Sequence, residues 1–134
     1  MPEESFGEPA SLRDIHVFLV VDDAESREVL RTVLEYAGAL VSVAESARSA
    51  QAALEAIRPD VLLADVTHAD AVAIIERVRA LPWCAELPSI VVTADRSSQE
   101  RQRLLACGVR GHMSRPIDVS ELCRLVASVA RRAR

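Results

Sequence analysis

Residues 15–23 read IHVFLVVDD, a nearly unbroken apolar and β-branched run that stops abruptly at Asp22 and Asp23. A short run of this kind, bounded by polar residues, is the pattern of a strand buried on both faces. Beyond the two aspartates the period changes. Val29, Leu30, Val33, Leu34 and Ala37 recur at helical spacing, and Gly38 stands where such a helix would stop. The stretch therefore predicts one strand and then one amphipathic helix, with two carboxylates at the joint.

Outward from that unit the same alternation repeats. Residues 40–44 predict a second, weaker strand; Ala50, Ala53, Leu54 and Ile57 predict a helix ending before Pro59. Residues 61–64 predict a third strand closed by Asp65, and Val72, Ile75, Val78 and Leu81 a helix stopped by Pro82. Residues 90–92 predict a fourth strand ending at Thr93. Ser97 and Glu100 then form a capping-box pair for a helix running to Cys107, with Gly108 beyond it. Residues 109–113 predict a weak fifth strand. Asp118 and Glu121 make a second capping box, opening a helix with Leu122, Leu125, Val126 and Val129 on one face. Five alternating units with short connections imply a parallel sheet covered by helices on both sides.

The remaining composition narrows the function. The chain has 134 residues, room for one domain: an N-terminal tail over residues 1–11, acidic and proline-bearing, and a folded body over 12–132. Sixteen basic and 20 acidic residues leave a net charge of −4, with no basic field for nucleic acid or an anionic membrane. Every basic residue is Arg and none is Lys. The four aromatics are poor material for stacking bases. Cys84, Cys107 and Cys123 fit no zinc or redox spacing and read as small, reduced core residues, in keeping with a cytoplasmic protein. No run of apolar residues is long enough to span a bilayer.

In an open parallel sheet, ligands bind outside the carboxyl ends of the strands, where the strand order reverses. Those ends carry Asp22 and Asp23, Asp65, Thr93, and then Arg115 with Pro116. Singly, each acid has a bland reading: Asp23 as a helix cap, Asp65 as a solvated loop residue. Together they form a repulsive cluster that a hard divalent cation such as Mg²⁺ would neutralise. A carboxylate beside such an ion suits phosphoryl transfer, with the carboxylate as nucleophile. Thr93 and Arg115 are then placed to contact phosphoryl oxygens.

At these residues the sequence resembles the CheY-like receiver domains of two-component signalling. The resemblance rests on FLVVDD at 18–23, PDVLLAD at 59–65, Thr93-Ala94 after the fourth strand and Arg115-Pro116 after the fifth, and covers nearly the whole chain. It implies a flavodoxin-like, doubly wound α/β fold of five strands in the order 2-1-3-4-5 with five helices, an order that general accounts of this fold already give for CheY. It implies Asp65 as phosphoacceptor from a sensor histidine kinase or phosphotransfer protein. It also implies Mg²⁺ held by Asp22, Asp23, Asp65 and the Thr67 carbonyl, phosphoryl contacts from Thr93, Ala94 and Arg115, a switch residue at His112 and a cis bond before Pro116. The domain would be a signalling module, catalysing at most its own phosphorylation and dephosphorylation. Its output would be a protein target or homodimer contacted through helix 4, strand 5 and helix 5, without direct binding of nucleic acid or membrane.

Three features depart from the family's pattern. Arg115 stands where the family carries Lys, and the two are not interchangeable at a phosphate contact. The loop after Asp65, with Thr67, His68 and Asp70, is about two residues short by alignment of its helix. His112 occupies the position of the family's aromatic switch residue. Arg115 and the short loop favour an alternative, a degenerate receiver that serves as an interaction or dimerisation module independent of phosphorylation, whereas the intact Asp22, Asp23, Asp65 and Thr93 oppose it. A third reading, a small phosphohydrolase, lacks the DxD-type nucleophile motif it would need.

Overall fold

The computed structural model describes residues 10–66, 70–94 and 97–133 of the chain, with side chains to residue 131. Its strands are β1 (His16–Val21), β2 (Leu40–Ala44), β3 (Val61–Asp65), β4 (Ser89–Thr93) and β5 (Gly111–Ser114). Between and after them run α1 (Ala24–Tyr36), α2 (Ala47–Leu54), α3 (Ala71–Arg79), α4 (Ser98–Ala106) and α5 (Val119–Ala133). All strand pairs are parallel, as the βα alternation predicts, and their order is β2-β1-β3-β4-β5, as the resemblance implies.

Strand periodicity divides the core into two layers. Val17, Leu19 and Val21 of β1 point with Val61 and Leu63 of β3 toward Leu30 and Leu34 of α1 and Leu122 and Val126 of α5. Phe18 and Val20 point the other way with Leu62, Ala64 and Val91, onto Leu54 of α2, Ile75 and Val78 of α3 and Leu104 of α4. Alternate residues of one strand thus serve opposite layers. Each fully buried large side chain contributes on the order of 2 kcal/mol. Among the described residues the first buried one is Leu12, whose N–H donates to the Ala37 carbonyl at 2.8 Å.

The helix boundaries are set by their caps. Asp23 accepts from the Ser26 N–H at 2.8 Å, Ser97 from Glu100 at 3.1 Å and Asp118 from Glu121 at 2.9 Å. Gly38 and Gly108 close α1 and α4 at φ of 108° and 92°, a region that strains other residues.

Four details differ from the sequence reading. Val29 is 58% exposed, so the α1 core stripe rests on Leu30 and Leu34. α2 ends at Leu54, before Ile57, which packs against the core from the loop. Pro82 does more than stop α3: it opens a short 3-10 helix, Pro82–Glu86, that buries Cys84. β5 begins at Gly111, because the Val109 N–H is taken by the Leu104 carbonyl as part of the exit from α4. The tail assigned to residues 1–11 falls mostly outside the described residues.

Candidate functional site

The sheet register brings the expected residues to one edge. Asp65 ends β3 opposite Val21 of β1 on one side and Val92 of β4 on the other. Thr93 is paired with Ser114 of β5, and the Arg115 N–H donates to the Thr93 carbonyl at 3.0 Å. Asp22, Asp23 and Arg115 each lie one or two residues past the end of a strand, so all project from the carboxyl ends. The Arg115–Pro116 peptide is cis.

Asp65 is buried, at 5% exposure, and is one of two buried polar residues among those described. The bland reading of a solvated loop residue therefore fails. Its carboxylate is met by Arg115, which reaches across β4 from the far edge of the sheet. Nε donates to Oδ1 at 3.1 Å and Nη2 donates to the same oxygen, while Nη2 also donates to the Val66 carbonyl at 3.3 Å. With Asp65 buried and Arg115 28% exposed at its side chain, much of the pair's attraction offsets the cost of taking the carboxylate out of water. The pair is better read as a held position than as a source of stability.

The other expected residues surround this pair. Asp22 is half-buried. Asp23 is exposed and its Oδ2 caps α1, so the bland reading of that residue is correct as far as it goes. Thr93 is half-buried and Ala94 exposed. His112 lies half-buried on β5, its Nε2 shielded from water and without a hydrogen-bond partner among the described residues. Thr67 and His68 lie outside the described residues. A residue that the sequence did not single out also joins the rim: Arg27 of α1 donates through Nη1 to the Val21 carbonyl at 2.8 Å.

A cleft of about 420 Å³ opens beside the pair, between α1 and the start of α5. Its floor holds Asp65 and Arg115; Val29, Val33, Ile117 and Val119 line its walls. Among the described residues, no three His, Cys, Asp or Glu side chains stand grouped as a metal cluster. One oxygen of Asp65 accepts from Arg115, and one of Asp23 accepts from the α1 N-terminus. The donor chemistry, carboxylates alone, still suits a hard divalent cation. Cysteine chemistry is excluded from this rim. Burial pushes the thiols of Cys84, Cys107 and Cys123 upward, holding them in the neutral form, and none lines the cleft.

Comparison with known proteins agrees with this architecture. Residues 17–127 match the family model of the response regulator receiver domain. An uncharacterized 14.6 kDa protein of Leptolyngbya boryana is 38% identical over 118 residues, covering 87% of this chain and 90% of that protein. The transcriptional regulatory protein TrcR of Mycobacterium tuberculosis is 30% identical, over 89% of this chain but only 46% of its own length. Several other curated relatives are likewise about twice as long as the matched region. Among solved structures, the receiver domain of the sensor histidine kinase PA1611 of Pseudomonas aeruginosa, with magnesium coordinated in its active-site cleft, superposes with a TM-score of 0.77 at 23% identity. That likeness covers 87% of this chain and 98% of the other.

The chain belongs to the response regulator receiver domain family. It is a signalling domain of the two-component class, and among the described residues no helix is long and apolar enough to cross a membrane.

Proposed function

We propose that this domain, residues 12–132, is a phosphoaccepting receiver and that Asp65 is its acceptor. The observation that carries the reading is the buried Asp65 carboxylate at the end of β3, facing a cation delivered from β5 in the crevice beside the sheet. A carboxylate oxygen of Asp65 attacks the phosphorus of a phosphohistidine on a sensor kinase or phosphotransfer protein. The P–N bond breaks and the imidazole leaves. With a small donor such as acetyl phosphate, the P–O bond breaks and acetate leaves.

Arg115 exchanges its carboxylate contact for a phosphoryl oxygen, and the Thr93 hydroxyl donates to another, with Ala94 shaping the turn beside it. Asp22, Asp23 and Asp65, with the Thr67 carbonyl, are the residues to hold Mg²⁺, which when bound supplies charge neutralisation for the phosphoryl oxygens. Recruitment of Thr93 draws on the adjoining β5, where His112 sits beneath the α4–β5–α5 surface, and shifts that surface between two populations. A protein target or a second copy of the domain reads the shift. The domain acts in the cytoplasm, and its only catalysis is of its own phosphorylation and dephosphorylation.

One observation favours a second reading. Arg115 already places two N–H groups on an acceptor oxygen, which suits a module that keeps the fold and no longer takes phosphate. Incubation with Mg²⁺ and acetyl phosphate, and then intact-mass spectrometry, separates the two. The receiver reading expects a phosphoryl mass addition that needs Mg²⁺ and is absent in Asp65→Asn. A folded protein that gains no mass, from acetyl phosphate or from a phosphorylated histidine phosphotransfer domain, is the interaction module.

A further inference from the structure

The arginines of this chain fall into two groups. Arg31, Arg103 and Arg115 are engaged with carboxylates. Arg101, Arg110 and Arg124 are exposed and, among the described residues, hold no ion pair. These three gather at one place. Arg101 and Arg110 line a groove of about 260 Å³ between α4 and α5, with Leu105, Val109 and Leu125 as its apolar part. Leu105 is 64% exposed. Arg124 precedes Leu125 and opens an exposed stripe along α5, Arg124, Ser128 and Arg131, at helical spacing. At the far end of that stripe the start of the chain already touches α5. Arg131 Nη2 donates to the Ser11 carbonyl at 3.5 Å, and Ala10 packs against the layer that α5 covers. The residues before Ala10 read MPEESFGEP: three glutamates, no base and one phenylalanine.

We infer that residues 1–9 are the occupant of this face: the tail runs back along α5 as a strap, with Glu8 on Arg124, Phe6 in the groove at Leu105 and Leu125, and Glu3 and Glu4 beside Arg101 and Arg110. The lengths agree. Three extended residues from Ser11 to Glu8 cover about 10 Å. The seven helical residues from Arg131 to Arg124 also cover about 10 Å. The whole tail, extended, spans about 30 Å, more than the roughly 22 Å of α5. Pro9 disfavours helix at Glu8 and so favours an extended path. Exposed ion pairs are individually weak. Tethering compensates, because a short flexible linker holds its end at an effective concentration of about a millimolar. The β2 edge, with Tyr36 and Leu40 exposed, is the other apolar place near the start of the folded body, but β2 (LVSVA) carries no base to meet the glutamates. The strap lies over the α4–β5–α5 surface to which the output is assigned above, so a partner reaches that surface by displacing the tail.

The test needs neither phosphodonor nor metal, so its failure is distinct from failure of the phosphorylation test. Backbone order parameters of residues 3–8 are measured by NMR relaxation on the full chain at low salt, and contacts of the Phe6 ring by nuclear Overhauser spectroscopy. The order parameters should lie above about 0.6, the upper bound of flexible backbone. The Phe6 ring should touch the methyl groups of Leu105 and Leu125 within one chain. Arg124→Glu, a change at an exposed position, should bring residues 3–8 below about 0.6, and adding Glu8→Arg should restore them. Salt at about 1 M, where charges are screened beyond roughly 3 Å, should loosen the tail in the unaltered protein. Should Arg124→Glu not fold, Glu8→Arg alone decides, and it should loosen the tail. Low order parameters without a Phe6 contact overturn the inference, as does a tail whose order neither charge reversal nor salt alters. Phe6 contacts to Tyr36 or Leu40 overturn it by placing the tail on the β2 edge. Contacts seen only between differently labelled chains overturn it by making a second copy the occupant.

Discussion

The two ends of the sheet are built on different principles. At the amino end, polar side chains are fastened to backbone. The His16 N–H donates to Asp60 Oδ2 at 2.8 Å, and the Asp60 N–H returns a bond to the His16 carbonyl at 2.8 Å. Trp83 Nε1 donates to the Leu54 carbonyl at 2.8 Å, and Arg58 lies over the indole at 4.6 Å from its centroid. At the carboxyl end, the central contact joins two charged side chains that lie fifty residues apart in the chain. Backbone-anchored bonds fix loops and have no second partner to go to. A pair of long or charged side chains can be exchanged for a metal or a phosphate without moving the chain. The amino end is therefore built for structure, and the carboxyl end is where the proposed chemistry falls, although both carry an acid and a base.

Substitutions at the amino end should cost stability and leave the chemistry alone. The largest effect belongs to Trp83→Ala, which removes the indole, its hydrogen bond to Leu54 and the platform under Arg58. Because Trp83 is half-buried, the loss should fall at the low end of the range for deletion of a large aromatic, about 3 kcal/mol, measured by urea unfolding. Under conditions where the variant is folded, the rate of mass gain from acetyl phosphate should match that of the unaltered protein. A parallel fall in that rate would break the division between the two ends.

Asp60→Ala sharpens the comparison at smaller scale. It removes the carboxylate that accepts from His16 and leaves that N–H without its partner at the start of β1. A hydrogen bond to a charged group in a half-buried setting contributes about 1.5–3 kcal/mol, so a loss near the lower figure is expected in the same unfolding experiment. Phosphoryl acceptance and Mg²⁺ affinity should not change.

The layers and the rim are legible in the sequence, whereas the pairing across the rim is not. The β1 run reads as doubly buried because both of its faces carry apolar residues, and the caps at Asp23, Ser97 and Asp118 are visible from local spacing. These features depend on neighbours a few residues away. The Asp65–Arg115 contact depends on strand order and register, which no local pattern encodes; the family resemblance brings the two residues to one rim without specifying that one lies on the other. Helical periodicity places Val29 in the core wrongly, because it marks a stripe of apolar residues without saying how wide a stripe the sheet will cover. The start of β5 is displaced by Val109, which is apolar and buried yet belongs to the exit from α4. Pro82 reads in the sequence only as a stop. At the first position of a helix its missing N–H is harmless, so it begins the short 3-10 turn as well as ending the previous helix.

Asp23 is the residue at which the two principles meet, because it is a backbone cap in the structure and a Mg²⁺ ligand in the proposed function. Its Oδ2 accepts from Ser26 at 2.8 Å, and the residue adjoins Asp22 at the end of β1. Alanine there would remove both functions at once and could not separate them. Asparagine can. Its side-chain oxygen caps a helix about as well as a carboxylate does, so Asp23→Asn should change unfolding free energy by only a few tenths of a kcal/mol. What it removes is a negative charge that a hard divalent cation requires. Mg²⁺ affinity should therefore fall at least about tenfold, read by calorimetry, while the urea midpoint stays nearly still. A loss of stability without a loss of Mg²⁺ affinity would make Asp23 a cap alone, and would extend the structural principle of the amino end to part of the opposite rim.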